Sequence, residues 1–111
     1  MEAKQICEEV IMPKMPKGAE IRYTRLDYGH VANISWLLGD DTDRPHKRSK
    51  TIAVIFEFEV IEDLSDMPDN LLHGALKVIG DYTEDFLNNF DPKHNAQRWQ
   101  ANPVEEFRVV I

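Results

Sequence analysis

The sequence predicts an α+β fold: a two-layer sandwich in which a four-stranded, mostly antiparallel sheet carries two helices on one face. In residues 51–62 every second side chain up to Val60 is β-branched or aromatic, which is the period of a strand, and residues 67–90 repeat apolar side chains with the period of a helix. Shorter segments of both kinds complete the order α-β-β-β-α-β, and sequential strands favour an antiparallel meander. No linker interrupts the pattern, so we expect one domain over residues 1–111.

The first element is an amphipathic helix near the N-terminus. Its apolar residues recur at helical spacing until two prolines end it: Ala3, Ile6, Cys7, Val10 and Ile11, then Pro13 and Pro16. We interpret Cys7 as a small buried hydrophobe, because free cysteines are usually buried and inert. A single cysteine excludes an intramolecular disulfide and a thiolate metal cluster, which favours a reducing, cytoplasmic location.

A β-hairpin follows the helix. Ile21 and Tyr23 share one side of its first strand, and the second strand has four apolar residues on one side: Ala32, Ile34, Trp36 and Leu38. The segment Asp27-Tyr28-Gly29 forms the turn, where Gly29 is able to take a positive φ. Residues 40–50, DDTDRPHKRSK, are predicted to be a loop because they are rich in turn-forming and charged residues.

The third strand carries the strongest pattern in the chain, TIAVIFEFEVIE over residues 51–62. One face holds Ile52, Val54, Phe56, Phe58 and Val60, and the other holds Thr51, Ala53, Ile55, Glu57, Glu59 and Ile61. This alternation predicts that one face packs on the core while the other is partly wet. The wet face of the sheet is predicted to show Arg22, Thr24, Asn33, Ser35, Glu57, Glu59, Glu106 and Arg108.

A long helix and a final strand complete the fold. The helix is predicted over residues 67–90, with Asp66 as its N-cap and Pro68 in its first turn. Its buried stripe consists of Leu72, Ala75, Leu76, Ile79, Thr83, Phe86, Leu87 and Phe90. The final segment, PVEEFRVVI, alternates again and places Phe107, Val109 and Ile111 on one side.

Charge is unevenly distributed along the chain. The net charge is −7. Residues 1–50 carry nine lysines and arginines against eight acids, whereas residues 51–111 carry four against twelve. Nonspecific attraction to nucleic acid or to an anionic membrane is therefore disfavoured for most of the molecule. No apolar run approaches the roughly 18 residues of a membrane span, so no membrane partner is expected.

No reactive constellation emerges from the sequence. Glu57 and Glu59 lie two apart on one predicted strand, about 6.5–7 Å apart at the backbone. With His30 they are the basis of one alternative, a metal-assisted hydrolase. The other interpretation pairs these carboxylates with Arg22 or Arg108 across strands. No catalytic, metal-binding or cofactor motif occurs, so we expect no cofactor, and nothing indicates an enzyme.

The basic cluster in the 40–50 loop is the main candidate for a partner-binding surface. It comprises Arg44, His46, Lys47, Arg48 and Lys50, and Trp99 is a candidate hot spot for association. An acidic patch on a protein partner would be steered to such a cluster by charge. A nucleic-acid contact through the phosphates is the alternative. A third interpretation is a solvated loop whose charge Asp40, Asp41 and Asp43 balance.

Two further surfaces remain open. Asp81, Glu84 and Asp85 lie on the exposed side of the long helix, where they could mimic phosphates and occupy a nucleic-acid-binding protein. The terminal FRVVI either pairs within its own sheet or adds to the sheet of a second copy, so the chain is a monomer or an edge-strand homodimer. We expect a small, soluble, non-catalytic binding or regulatory protein that acts through a protein partner.

Overall fold

The computed structural model describes residues 1–111 and confirms the α+β class. Its elements are α1 (Ala3–Ile6), β1 (Glu20–Leu26), β2 (Gly29–Ser35), β3 (Thr51–Glu57), α2 (Phe58–Asp66), α3 (Asp69–Asn88) and β4 (Val104–Arg108). The chain continues from α1 through a π-helical turn, Cys7–Ile11, and a 3₁₀ turn, Met12–Lys14. The order is α-β-β-β-α-α-β, with one helix more than the sequence pattern predicts.

The four strands form one sheet in the order β1-β2-β3-β4. The β1–β2 and β2–β3 pairs are antiparallel, as predicted for a meander, whereas β3 and β4 are parallel. Parallel neighbours need a crossover connection, which α2 and α3 provide. The two edges of the sheet are therefore β1 and β4.

The core lies between one face of the sheet and the helices. Ile52, Val54 and Phe56 of β3 are fully buried there. They belong to one cluster with residues of the N-terminal helical segment, β2, α2, α3 and the C-terminal segment: Ala3, Ile6, Cys7, Ile11, Ala32, Ile34, Leu64, Ile79 and Val109. The predicted burial of Cys7 and of the even-numbered side of β3 is confirmed.

The third strand is shorter than predicted. It ends at Glu57, and Phe58–Asp66 is helical. The β2–β3 ladder stops at the Gly29–Glu57 pair because β2 begins there, so a longer β3 would have no partner on that side. The next residues also have helical spacing, and they bury Leu64 and half-bury Val60 and Ile61 against the core. The prediction that residues 58–62 continue the strand is wrong.

The long helix begins later than predicted and lacks the predicted cap. It spans Asp69–Asn88, its N-cap position is Pro68, and no side chain caps it. Asp66 cannot cap this helix because it is the last residue of α2. The predicted apolar stripe is confirmed: Ile79 and Thr83 are buried, and the other members are half-buried against the core, namely Leu72, Ala75, Leu76, Phe86, Leu87 and Phe90.

The second face of the sheet is not covered by any helix, yet its centre is apolar and buried. Val31, Ala53 and Ile55 form a small cluster there with Leu26 beside it. The registers place Thr24, Glu106 and Arg108 on the flanking strands next to this cluster. We call this surface the open face. The polar residues expected on this face therefore surround a buried apolar cluster and do not cover the whole face.

Gly29 is required for close packing and does not adopt the left-handed conformation that the turn pattern allows. Positive φ occurs only at Gly18 and Gly39, with values of 85° and 67°. A Cβ on Gly29 would collide with the Phe56 carbonyl oxygen and lie 2.9 Å from the Glu57 Cα. Both obstacles are backbone atoms of the neighbouring strand, so they cannot move aside without disturbing β3.

Replacing Gly29 tests this close approach. We expect Gly29→Ala to lower the free energy of unfolding by about 1–3 kcal/mol or more, as overpacking does. The matched control is Gly74→Ala, because a Cβ there meets nothing within 4 Å and the position is inside α3. This control should gain about 0.5–1 kcal/mol from helix propensity. Chemical denaturation measures both changes, and a Gly29→Ala protein as stable as wild type would contradict the assignment.

Candidate functional site

The basic 40–50 loop is held by backbone hydrogen bonds at the end of the sheet where β3 begins. Leu38 donates to the Lys47 carbonyl at 3.1 Å, and Ser49 donates to the Trp36 carbonyl at 2.8 Å. The second long connection, residues 89–103, joins it there because Lys50 donates to the Pro92 carbonyl at 2.9 Å. Two connections that are distant in sequence therefore lie side by side.

Two arginines tie these connections together. The Nη1 atom of Arg44 donates to the Ala96 carbonyl at 2.8 Å. In return, Nη2 of Arg98 donates to the Asp43 carbonyl. Each guanidinium has five N–H donors, so one bond to a carbonyl fixes the side chain and leaves other donors for a ligand.

A shallow pocket of about 250 Å³ lies between the two connections. Its lining residues, which define the basic pocket, are Asp43, Arg44, Pro45, His46, Lys47 and Arg98. Three of them are always cationic and one is an acid, so the pocket is positive on a chain whose net charge is −7. Carboxylates and phosphates are the groups that arginine forks of this kind bind.

The predicted basic cluster does not form one surface. Arg48 turns to the open face, where it donates to the Ser35 side-chain and carbonyl oxygens, both at 2.9 Å, and lies 3.5 Å from Glu20. Lys50 is paired with Glu105 at 3.2 Å. Both residues are thus occupied within the chain. Arg48 lines a different pocket, of about 310 Å³, with Arg22 and five other polar residues.

The cations of the basic pocket have no such partners. None of Arg44, Lys47 and Arg98 has a carboxylate within 4.0 Å in an ion pair. The nearby acids are used differently, since the Asp41 carboxylate accepts from the Asp43 backbone N–H at 2.9 Å. The interpretation of the loop as locally balanced therefore has no ion pair to support it in the pocket.

Arg98 is not among the candidate residues named from the sequence, whereas the neighbouring Trp99 is named as a candidate hot spot. Trp99 is 81% exposed, the highest value among the large hydrophobic residues that lie open to solvent. Arg98 lies 55 residues from its contact Asp43, and no local pattern joins the two. One feature of the sequence could have pointed to Arg98. It stands beside an isolated tryptophan in a polar loop, and arginine and tryptophan are both enriched in hot spots.

His94 fixes the path of the 89–103 connection beneath the pocket. Its Nδ1 accepts from the Ala96 N–H at 3.1 Å, and its Nε2 lies 2.9 Å from the Arg48 carbonyl oxygen. An accepting Nδ1 requires the neutral ring to carry its hydrogen on Nε2, which then donates to Arg48. One imidazole therefore links the carbonyl of one connection to the amide of the other.

Removing this imidazole should loosen the pocket. We expect His94→Ala to speed amide hydrogen exchange at Ala96, because the N–H loses its acceptor and the connection loses its link. The free energy of unfolding should fall by about 1–3 kcal/mol, because the Ala96 N–H and the Arg48 carbonyl lose their partner. His73→Ala is the control, since His73 is exposed on α3 and forms no hydrogen bond. Equal Ala96 exchange in the two variants would show that His94 does not hold the segment.

The acidic surface predicted on α3 is partly neutralised. Asp81 accepts from Lys77 at 2.9 Å, and this hydrogen bond and the Asp81 charge raise the pKa of Lys77. Glu84 lies 3.3 Å from the Lys14 ammonium. Only Asp85 of the three has a free carboxylate. The array is thus less negative than its sequence suggests.

The residues of the hydrolase alternative do not converge. Glu57 lies on the open face and pairs with Arg108, one of the two partners that the sequence suggested for it. Glu59 is exposed in the first turn of α2. His30 lies on the opposite face of the sheet, edge-on to Phe58 at 5.4 Å. No group of three potential metal ligands forms anywhere in the structure.

A larger cavity, of about 530 Å³, lies between the N-terminal segment, the hairpin and α2, lined by Tyr23, His30, Ile61, Lys4, Glu2 and Ala3. Cys7 lies beside it, and burial raises the pKa of its thiol from 9.0 to about 12. Desolvation also raises the pKa of Tyr23 to about 12. Both groups are therefore protonated and unreactive at neutral pH.

Cys7 should make the protein sensitive to alkali. The unfolded thiol ionises from pH 9.0, whereas the folded thiol keeps its proton until about pH 12. Its contribution to stability is therefore complete below pH 9 and is lost as the pH rises through this interval, by at most about 1.4 kcal/mol per pH unit. Denaturant titrations of Cys7→Val should show a shallower decline above pH 9 than wild type. Val10→Ala, a nearby change without a titratable group, should keep the wild-type slope; identical slopes in all three would contradict the assignment.

Comparison with protein-family models, with curated proteins and with solved structures finds no match to this chain. None of its helices combines the length and the apolarity that crossing a lipid bilayer requires.

Proposed function

We propose that this chain is a small, non-catalytic binding protein whose basic pocket takes up an acidic segment of a protein partner. The observation that carries the proposal is the group of three cations, Arg44, Lys47 and Arg98, without ion pairs in one pocket. Of the ten lysines and arginines outside the pocket, five are paired with acids of the same chain and five are not, but in no other pocket do three such residues without ion pairs lie together. A carboxylate-bearing partner would supply the missing counter-charges.

Preorganisation supports this use of the pocket. Arg44 and Arg98 are already held by carbonyl oxygens of the opposite connection, so binding orders few additional torsions. His46 and Lys47, which form no side-chain hydrogen bond within the chain, are free to adapt to the ligand. Fixed forks beside adaptable side chains are suited to a charged peptide segment.

The exposed tryptophan argues for a protein partner. Trp99 follows Arg98 in the chain and is 81% exposed, so an apolar group of the partner can bury its indole. Tryptophan and arginine are enriched at the energetic centres of protein interfaces. Nucleic acid is less suitable as a ligand because three cations neutralise few phosphates, and the net charge of −7 repels the rest of the polyanion. We place the protein in the reducing cytoplasm, which suits its single buried thiol.

Two substitutions test the proposal by comparative pull-down from native lysate at low salt. We expect Lys47→Glu to weaken capture of the partner about tenfold through charge repulsion, and Trp99→Ala to weaken it by roughly 30-fold or more, as loss of a hot spot does. The matched controls lie at exposed positions outside the pocket: Lys17→Glu makes the same charge change as Lys47→Glu, and Tyr28→Ala removes another exposed aromatic side chain. These controls should capture the partner as wild type does.

Two outcomes would contradict the proposal. If wild type and both pocket variants captured the partner equally, the partner would not bind at the basic pocket. A gel shift with a single-stranded oligonucleotide at low salt, abolished by Lys47→Glu but not by Lys17→Glu, would instead support the nucleic-acid alternative.

A further inference from the structure

The outer edge of β4 has unpaired backbone groups along its whole length. The Val109 N–H donates inward to the Ile55 carbonyl at 3.0 Å, and Thr51 donates to the Pro103 carbonyl at 2.9 Å. Odd-numbered residues of this segment therefore bond β3. Because a strand alternates its bonding directions, the residues between them turn their N–H and C=O groups outward: Val104, Glu106, Arg108 and Val110. An edge of this kind can accept another strand.

Apolar side chains surround this edge. Val104 is 56% exposed and Val110 is 52% exposed, although both are large and apolar. Above them, a groove of about 90 Å³ separates α3 from β4 and is lined by Ile79, Tyr82, Phe107, Arg108, Val109 and Val110. Tyr82 is 51% exposed, and Val78, one helical turn before it, is 44% exposed. The surface around the edge is thus an exposed apolar patch of the kind that marks protein–protein contacts.

The charge pattern of β4 is complementary to itself. Glu106 and Arg108 lie on either side of Phe107, and Val104 and Val110 lie symmetrically further out. An antiparallel pairing with a two-fold axis at Phe107 places Glu106 opposite Arg108 of the second copy, and Arg108 opposite its Glu106. The same register places Val104 opposite Val110 in both directions. All of these positions are the ones whose backbone groups point outward.

The two-fold registers centred on the two neighbouring residues are electrostatically worse. An axis at Glu106 would set the two Glu106 carboxylates opposite each other, and an axis at Arg108 would oppose the two guanidinium groups. Like charges directly opposite destabilise a strand pair, whereas opposite charges stabilise it. Glu57 already pairs with Arg108 on the open face, which orients the guanidinium on that side of the sheet.

We infer that β4 is a homodimerisation edge: it pairs antiparallel with β4 of a second copy about a two-fold axis at Phe107. The two four-stranded sheets then join into one continuous sheet. A two-fold interface of this kind is self-complementary, because each copy presents the same edge to the other. The groove between α3 and β4 of each copy meets that of the other on the helix-covered side.

Sedimentation velocity over a range of concentrations tests the interface with charge reversals. Glu106→Arg opposes two arginines in each symmetric pair, and Arg108→Glu opposes two glutamates, so each variant alone should dimerise at least about tenfold more weakly than wild type. A mixture of the two variants restores opposite charges at both pairs. We expect this mixture to recover a one-to-one heterodimer with an affinity close to that of wild type.

The design separates pairing from folding and from general charge effects. Far-UV circular dichroism checks that each exposed substitution leaves the fold intact. Glu62→Arg makes the same charge change as Glu106→Arg at an exposed position of α2, and it should dimerise as wild type does. A wild-type protein that stays monomeric at the highest attainable concentration would overturn the inference. Dimerisation of Glu106→Arg equal to that of wild type, or failure of the mixture to recover, would overturn it as well.

Discussion

The structure depends on burying β3 on both faces. Five consecutive residues, Ile52 to Phe56, are buried: the helices cover one face of the strand, and on the open face side chains of the neighbouring strands surround Ala53 and Ile55. On one side it pairs antiparallel with β2, to which the connection of residues 36–50 joins it. On the other side it pairs parallel with β4, which only a crossover through α2 and α3 can deliver. The position of every other element follows from these two ladders.

The parallel pair also explains where the basic pocket forms. Parallel strands begin at the same end of a sheet, so the connections that lead into β3 and β4 must converge there. The first is the 40–50 loop and the second is the 89–103 connection, and the bond from Lys50 to Pro92 joins them. Had β4 been antiparallel to β3, Arg98 would enter from the opposite end and could not meet Asp43. The pocket is therefore a consequence of topology, which sequence spacing does not reveal.

The sequence predicts the buried faces correctly where one side-chain period is clear. It predicts the wrong element where the periods of a strand and of a helix fit equally well. The buried side of β3 and the stripe of α3 follow from alternation and from helical spacing. Residues 58–61 satisfy both patterns, and they are helical because the β2–β3 ladder stops where β2 begins, at Gly29. Gly29 fits a turn by its chemistry, but its role comes from the neighbouring strand. The partition of the basic cluster depends on distant contacts such as Lys50 with Glu105.

The pocket and the β4 edge are compatible within one assembly. In the proposed dimer the two β4 strands run in opposite directions, so the ends at which they begin lie at opposite ends of the shared interface. Each basic pocket lies at the beginning of its own β4, so the pairing edge covers neither pocket. Because the net charge of the chain is −7, acidic segments of the proposed partner would be attracted chiefly to these two separated positions. A partner with two acidic segments would then engage both pockets, and its second contact would be intramolecular, which raises avidity without any new kind of contact.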